Sequence, residues 1–239
     1  MARTAEGEAT SEDSRGDDRT IRVLVVDDHR AVAESIAMAI DLQPDLRCVG
    51  IAATSAEARA MLLIKSPDVV LTDVRLPDGD GVDGARRLLE LRPDLRVIVL
   101  TAHTDLDVIA RAASAGVCGF LPKESGIGIV LDAIRRAGEG AMAIDSAVLG
   151  AVLHRVQNEP PQPAETLGGD LTEREREVLG LLGQGLDPQA IARQLGISLH
   201  TCRGHVKSIL AKLDAHSQLQ AVVKASRLGL ARGFADDRG

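Results

Sequence analysis

The sequence predicts an α/β fold, a five-stranded parallel sheet with helices on both faces, followed by a small all-α unit of four helices. Three observations predict it. Short aliphatic runs alternate with helical-period stretches across short loops, the pattern of a parallel sheet covered on both sides. Two of those runs end on carboxylates, at Asp27-Asp28 and at Asp73, and a Pro/Gly/Asp loop comes directly after the second. Beyond a Pro- and Gly-rich stretch at 159–169 the strand pattern stops and only helix signals remain.

Residues 1–19 carry three Arg against six acids and little apolar surface, so they predict a disordered acidic tail. Strands are expected at 21–26, 46–53, 68–73, 95–101 and 117–121, because each is a short β-branched or aliphatic run bounded by turn residues. Helices are expected between and after them, at 31–42, 56–65, 82–91, 105–114 and 127–137. Thr54-Ser55 supplies a cap for the second helix, and Pro93 stops the third. This α/β unit spans 20–140. A further amphipathic helix is expected at 141–156, ahead of the linker that ends at 169.

The second unit spans 170–234, with a flexible end at 235–239. Thr172 and Glu175 are spaced as a capping box. Asp187-Pro188 is a cap followed by proline at the first helical position. Gly196-Ile197-Ser198 is a short turn between that helix and the next, at about 199–213, and a last helix is expected at 217–228. Two helices joined by a short Gly turn, the second of them basic, form a helix-turn-helix signature.

Composition narrows the function. Hydrophobic residues make up 45% of the 239, enough for a packed core, but the only aromatics are Phe120 and Phe234. Stacking of bases on aromatic platforms is therefore not the mode of nucleic-acid binding to expect. Cys48, Cys118 and Cys202 lack metal-ligand or CxxC spacing and read as small core residues of a reducing compartment. No apolar run approaches the roughly 18 residues of a membrane span, and the start has no signal-peptide pattern. A cytoplasmic protein is expected. The net charge of −7 is uneven: residues 20–140 hold 14 basic and 18 acidic side chains, residues 170–234 nine and six. Only the back of the chain is suited to a polyanion.

If the sheet has the flavodoxin-like order, the first and third strands are neighbours, and Asp27, Asp28 and Asp73 converge at their carboxyl ends. Three carboxylates in one cleft call for a cation, and a hard oxygen-ligated ion such as Mg2+ suits them together with a phosphate. Thr101 and Lys123, at the ends of the fourth and fifth strands, supply a hydroxyl and a mobile ammonium for phosphate oxygens. His29 reads as a surface residue of a helix start and His103 has no partner spacing for a metal.

With these motifs in hand, the chain resembles two-component response regulators of the NarL/FixJ, LuxR-type family. Val25-Val26-Asp27-Asp28-His29, the run from Leu71 to Gly81, Thr101-Ala102 and Gly119-Phe120-Leu121-Pro122-Lys123 are similar to receiver-domain motifs in the right order. The resemblance implies that Asp73 accepts a phosphoryl group from a sensor histidine kinase. It implies that Asp28 ligates Mg2+ directly, Asp27 through water, and Arg75 through its main-chain carbonyl, with Asp73 itself in the set. Thr101 and Lys123 would bind the phosphoryl group, and Thr101 and Phe120 would act as the switch pair. The only catalysis expected is self-phosphorylation and self-dephosphorylation.

The back half is similar to the LuxR-type DNA-binding module over about 171–230. Ile191, Leu195, Ile197, Val206, Ile209, Leu210 and Leu213 are spaced as its core. The third helix is expected in the major groove, with Arg203, Gly204 and Lys207 on its outward face and Thr201 and Lys212 also assigned to the DNA side. Arg203 can read a guanine edge, whereas Lys207 suits a phosphate; His205 reads as packed or phosphate-facing. The chain departs from the family at Asp187-Pro188-Gln189-Ala190, at Thr201-Cys202-Arg203 and at Ser217-Gln218, which removes two basic contacts. A weakly basic monomer binds poorly, so a homodimer on paired half-sites, formed on phosphorylation, is expected. The other reading of the same features is a protein-interaction or phosphate-sink regulator with weak or phosphorylation-independent DNA binding.

Overall fold

The computed structural model of the chain describes residues 20–102, 105–158 and 171–230. The tail at 1–19, His103, the linker at 159–169 and the expected flexible end at 235–239 lie outside the described residues. The first unit runs β1 (Ile21–Val26), α1 (Arg30–Asp41), β2 (Leu46–Ala52), α2 (Ser55–Lys65), β3 (Val69–Asp73), β4 (Arg75–Leu76), β5 (Gly79–Asp80), α3 (Gly81–Leu91), β6 (Arg96–Thr101), α4 (Leu106–Ser114), β7 (Gly119–Pro122) and α5 (Ile127–Gly138). The main sheet has the order β2-β1-β3-β6-β7, and every pair in it is parallel. This is the flavodoxin-like order, with its reversal of direction between β1 and β3. The hairpin β4–β5 was not legible in the sequence; it folds the Pro77-Asp78-Gly79 loop back on itself.

Alternation along each strand divides the core into two layers. Val23, Val25, Leu71, Ile98 and Leu100 face α1 and α5, packing with Ile36, Ile40 and Ile134. Leu24, Val26, Val70, Val97 and Val99 face the other way, toward Leu62, Leu88 and Ile109. Short polar caps fix the helix starts: the Thr54 side chain accepts from Glu57 N, and Asp80 accepts from Val82 N.

The second unit consists of α7 (Glu173–Gly183), α8 (Pro188–Leu195), α9 (Leu199–Lys212) and α10 (Gln218–Arg227). The Thr172–Glu175 capping box forms reciprocally, Asp187 caps α8 with proline at its start, and Gly196 takes the left-handed conformation at φ 64°. Ile191, Val206, Ile209 and Leu213 are buried, and Leu195, Ile197 and Leu210 pack against them partly exposed.

The structure departs from the sequence reading at the helix after the sheet. Helix α6 (Ser146–Gln157) starts later than expected, and 141–144 is instead a buried non-helical segment whose Ala143 bridges Gly119 of β7. The free edge of β7 offers unpaired main-chain groups there, and Asp145 caps the helix by accepting from Ala147 N and Val148 N. The relation of the two units was left open by the sequence. Leu149, Val152, Leu153 and Val156 of α6 and Leu219, Val222 and Val223 of α10 belong to the same buried cluster as Leu88 and Ile109. The helical unit therefore shares one core with the sheet's α4 side.

Candidate functional site

The register of the sheet assembles the acid pocket. Val26 pairs with Thr72, so Asp27 emerges beside Asp73. Asp73 pairs with Leu100 and Thr101 with Pro122, which brings Thr101 and Lys123 to the same carboxyl edge. Asp27, Asp73 and Thr101 are buried, at 2%, 4% and 5% exposure, whereas Asp28 is open to solvent. Lys123 Nζ bonds Asp73 Oδ2 at 2.6 Å and lies 2.8 Å from Asp27 Oδ2. Burial alone would lower the Lys123 pKa, but the two carboxylates outweigh it and hold the ammonium above its ordinary value. The main chain locks the corner, with Lys123 N donating to Thr101 O at 2.6 Å.

These residues fit a hard cation. Ligand atoms of Asp27, Asp28, His29 and Asp73 all lie within 4.8 Å of one another. Asp27 Oδ2 is buried and has the Lys123 ammonium at 2.8 Å, so the lysine balances part of the pocket's negative charge and leaves the more exposed Asp28 carboxylate for a further positive partner. His29, read from sequence as a surface residue, is exposed but turns its Nδ1 to within 3.2 Å of Asp27 Oδ1 and 3.0 Å of Asp28 Oδ1. Arg75 stands at the start of the hairpin with its side chain exposed.

Gly81 closes the loop over Asp73. Its N–H donates to Val74 O at 2.7 Å, and a Cβ there would meet Asp73 O at 1.9 Å. A main-chain atom cannot yield by a rotamer change. Gly81→Ala is therefore expected to displace the main chain of Asp73; with Asp73 as the phosphoacceptor that the resemblance implies, labelling by a small phosphodonor would slow on the order of a hundredfold, the scale of an ångström misplacement at a reacting group. Labelling rates of variant and parent at equal donor concentration decide it.

On α9 the structure places Thr201, Arg203, Gly204 and Lys207 on the exposed surface. The Thr201 hydroxyl shares a hydrogen bond of 2.8 Å with Ser198, the α9 cap. Arg203 lies 3.6 Å from Glu139 of the first unit, and a Cβ on Gly204 would meet nothing. Lys212 is placed differently: its Nζ bonds the buried Glu175 Oε2 at 2.7 Å, while Ser208 Oγ donates to Oε1 and Thr172 N to Oε2. Burial alone would raise the Glu175 pKa, but these donors bring it down to about 2. Lys212 is thus an anchor of the helical core, with part of its stem exposed.

Sequence reasoning did not find the contacts that hold α10 against the first unit. Ser217 Oγ donates to Val117 O at 2.8 Å, Gln220 Nε2 to Ser114 O at 2.8 Å, Arg227 to Ser114 Oγ at 3.0 Å, and Arg96 to His216 O at 3.1 Å. The available signal was α10's run of apolar residues flanked by Ser217, Gln218 and Gln220, too many for a helix that only closes a four-helix unit.

A parallel sheet of this order carrying a buried aspartate, a second acid and a bridging lysine at its carboxyl edge, joined to a helix-turn-helix unit, defines a response regulator. Residues 23–135 match the response regulator receiver domain family and residues 170–225 the bacterial regulatory proteins of the luxR family. The chain belongs to the LuxR/NarL-family response regulators, which are DNA-binding transcriptional regulators rather than classical enzymes. It is 35% identical over 209 residues to the transcriptional regulatory protein LiaR of Bacillus subtilis, covering 87% of this chain and 97% of that one. It is 34% identical over 212 residues to the DNA-binding transcriptional activator DevR/DosR of Mycobacterium tuberculosis, covering 89% and 97%. A LuxR-family two-component response regulator from Aurantimonas sp. SI85-9A1 superposes with a TM-score of 0.53 at 26% identity, over 59% of this chain and 99% of that one. Among the described residues no helix is long and apolar enough to cross a membrane.

Proposed function

We propose that Asp73 is the phosphoacceptor of a cytoplasmic transcription factor driven by a sensor histidine kinase. The observation that carries this reading is Lys123 Nζ, held at once by Asp73 and Asp27 at the sheet's carboxyl edge. Asp73 attacks the phosphorus of a phosphohistidine in line; its O–P bond forms as the P–N bond breaks, and the imidazole stays with the kinase. Lys123 follows the negative charge from carboxylate to phosphoryl oxygen, and the Thr101 hydroxyl donates to a second oxygen. Mg2+, held by Asp27, Asp28, Asp73 and the Arg75 carbonyl, would neutralise phosphoryl oxygens during transfer.

Phosphorylation adds a charge of roughly −1.5 to −2, by analogy with hydroxyl phosphates. Thr101 turns toward that charge, Phe120 shifts with it, and the α4 side that seats α10 changes shape. Freed of α4, α10 exposes Leu219, Val222 and Val223, an apolar face that a second copy can cover. The product is a homodimer on paired half-sites, read by Arg203 and Gly204 and held at phosphates by Lys207 and Thr201. Lys212 acts on DNA through the helix it anchors.

The test measures mass by light scattering and DNA binding by mobility shift, with and without beryllofluoride and Mg2+. Dimer and operator affinity are expected to rise together. DNA binding indifferent to beryllofluoride supports the phosphate-sink reading instead. Arg203→Ala is expected to lower affinity for the operator by about 1–3 kcal/mol and for random DNA by much less; equal losses make Arg203 a phosphate contact.

A further inference from the structure

The segment between α5 and α6 is more than a tether. Ala141, Met142, Ala143 and Ile144 are all buried, and among them Ala143 bridges Gly119 on the outer edge of β7, while Ala141 N donates back to Arg136 O at the end of α5. Phe120 N donates to Ala143 O at 2.8 Å, and Ala143 N donates to Cys118 O at 3.0 Å. The approach is close enough to require glycine: a Cβ on Gly119 would stand 2.6 Å from Ala143 Cβ and 2.8 Å from Ala143 O. The other edge of β7 pairs with β6, where Phe120 lies opposite Val99 and Thr101 opposite Pro122. So the main chain of Phe120 has the phosphate-side strand on one flank and the linker on the other.

Helix α6, directly after the segment, is firmly seated. Asp145 caps its start. Leu149, Val152, Leu153 and Val156 bury α6 against the common core, and Arg155 bonds Asp107 of α4 at 3.0 Å. The turn between α7 and α8 rests on the start of α6, where Gly185 leaves a Cβ position 3.2 Å from Ser146 Cβ. Helix α10 packs on both α4 and α6. A displacement of 141–144 therefore moves α6, and with it the seat of the DNA-binding unit.

We propose that residues 141–144 form a releasable sixth strand, and that its pairing with β7 is the route by which the state of Asp73 reaches the DNA-binding unit. This rests on the reading of Asp73 as phosphoacceptor. In the unphosphorylated chain the two main-chain bonds hold α6 and α10 in place. When Thr101 and Lys123 are drawn to the phosphoryl group, β7 moves with them because Lys123 N is bonded to Thr101 O. The short strand then parts from 141–144, α6 loses its fixed origin, and α10 leaves α4. A coupling that ran only through the outer surface of α4 would leave this pairing intact.

The experiment uses the full chain. Amide hydrogen exchange is followed with and without beryllofluoride and Mg2+. Protection at Phe120 N and Ala143 N is expected to fall at least tenfold on adding the mimic, while β3 and β6 amides keep theirs. Two variants attack the pairing from opposite sides: Gly119→Ala crowds Ala143, and Ala143→Pro removes its N–H. Both are expected to keep labelling at Asp73 within about threefold of the parent, since neither residue touches the acid pocket. Both should raise DNA affinity in the absence of the mimic about tenfold and bring the ratio with and without mimic close to one. Unchanged protection at Phe120 and Ala143 in a parent protein that does respond to the mimic overturns the sixth-strand route alone. So does a full response in either variant. A parent protein that takes no label on Asp73 removes the phosphoacceptor reading and this proposal together. Should a variant fail to fold, the exchange measurement on the parent still decides.

Discussion

Asp73→Asn is expected to abolish labelling of the chain by a small acyl-phosphate donor in the presence of Mg2+. The carboxamide retains the shape and burial of Asp73 but is a far weaker nucleophile, and it gives Lys123 no charge to balance. Asp73 is 4% exposed and Lys123 Nζ is 2.6 Å from its Oδ2, so the variant keeps the pocket's volume while removing its central anion. Beryllofluoride, which needs the carboxylate oxygen as its fourth ligand, should likewise fail to raise DNA affinity or dimer mass. The expected effect is a complete loss of label and of response, with little change in melting temperature. Undiminished labelling moves the acceptor to another residue, and retained labelling with lost DNA response separates the chemistry from its output.

Glu175→Ala is expected to destabilise the DNA-binding unit as a whole. It removes the acceptor for Lys212 Nζ, Ser208 Oγ and Thr172 N together and leaves a partly buried ammonium without its carboxylate. The depression of the Glu175 pKa from 4.5 to about 2 corresponds to roughly 2–3 kcal/mol once the partial exposure of Lys212 is allowed for. Thermal unfolding of the helical unit should shift accordingly, and affinity should fall on operator and random DNA alike. That pattern differs from Arg203→Ala, whose loss is specific to the operator.

The pH dependence has a definite sign. A carboxyl whose folded pKa is depressed contributes stability above its unfolded pKa and loses it as the pH falls through the folded value. The Glu175 contribution is therefore complete above a pH of about 4.5 and fades toward about 2. The stability gap between the parent chain and Glu175→Gln should narrow steadily over that window and stay constant above it. A gap independent of pH below about 4 would mean that Glu175 acts by shape alone.

The acid pocket was legible because its parts are local. Each of Asp27, Asp73, Thr101 and Lys123 directly ends or follows an aliphatic run, and the alternation of runs with helices leaves few ways to order a parallel sheet. The caps at Thr54, Thr172 and Asp187 were readable for the same reason, since a cap and its acceptor lie within one turn. Lys212 was harder. On a helix in isolation it is one more basic residue near DNA, and only the folding of α7 against α9 shows that its charge is taken by Glu175, 37 residues earlier. The stretch 141–144 misled for another reason. Ala-Met-Ala-Ile has helical character by itself, and the unpaired edge of β7 that draws Ala143 out of a helix is supplied by residues over twenty positions away.

By itself the sequence determined the class of protein, the alternation of strands with helices, the carboxylates and lysine that end those strands, and the helix-turn-helix with its outward basic face, because these depend on residue type at short spacing; the strand order that brings the pocket together came from the folded sheet. The tertiary structure alone decided that α10 docks on α4 and α6, that Arg203 faces Glu139, and that Phe120 is bonded through its main chain to the linker. Those contacts join residues from separate units, and their stability comes from buried area and main-chain pairing that exist only once both units are folded and placed together.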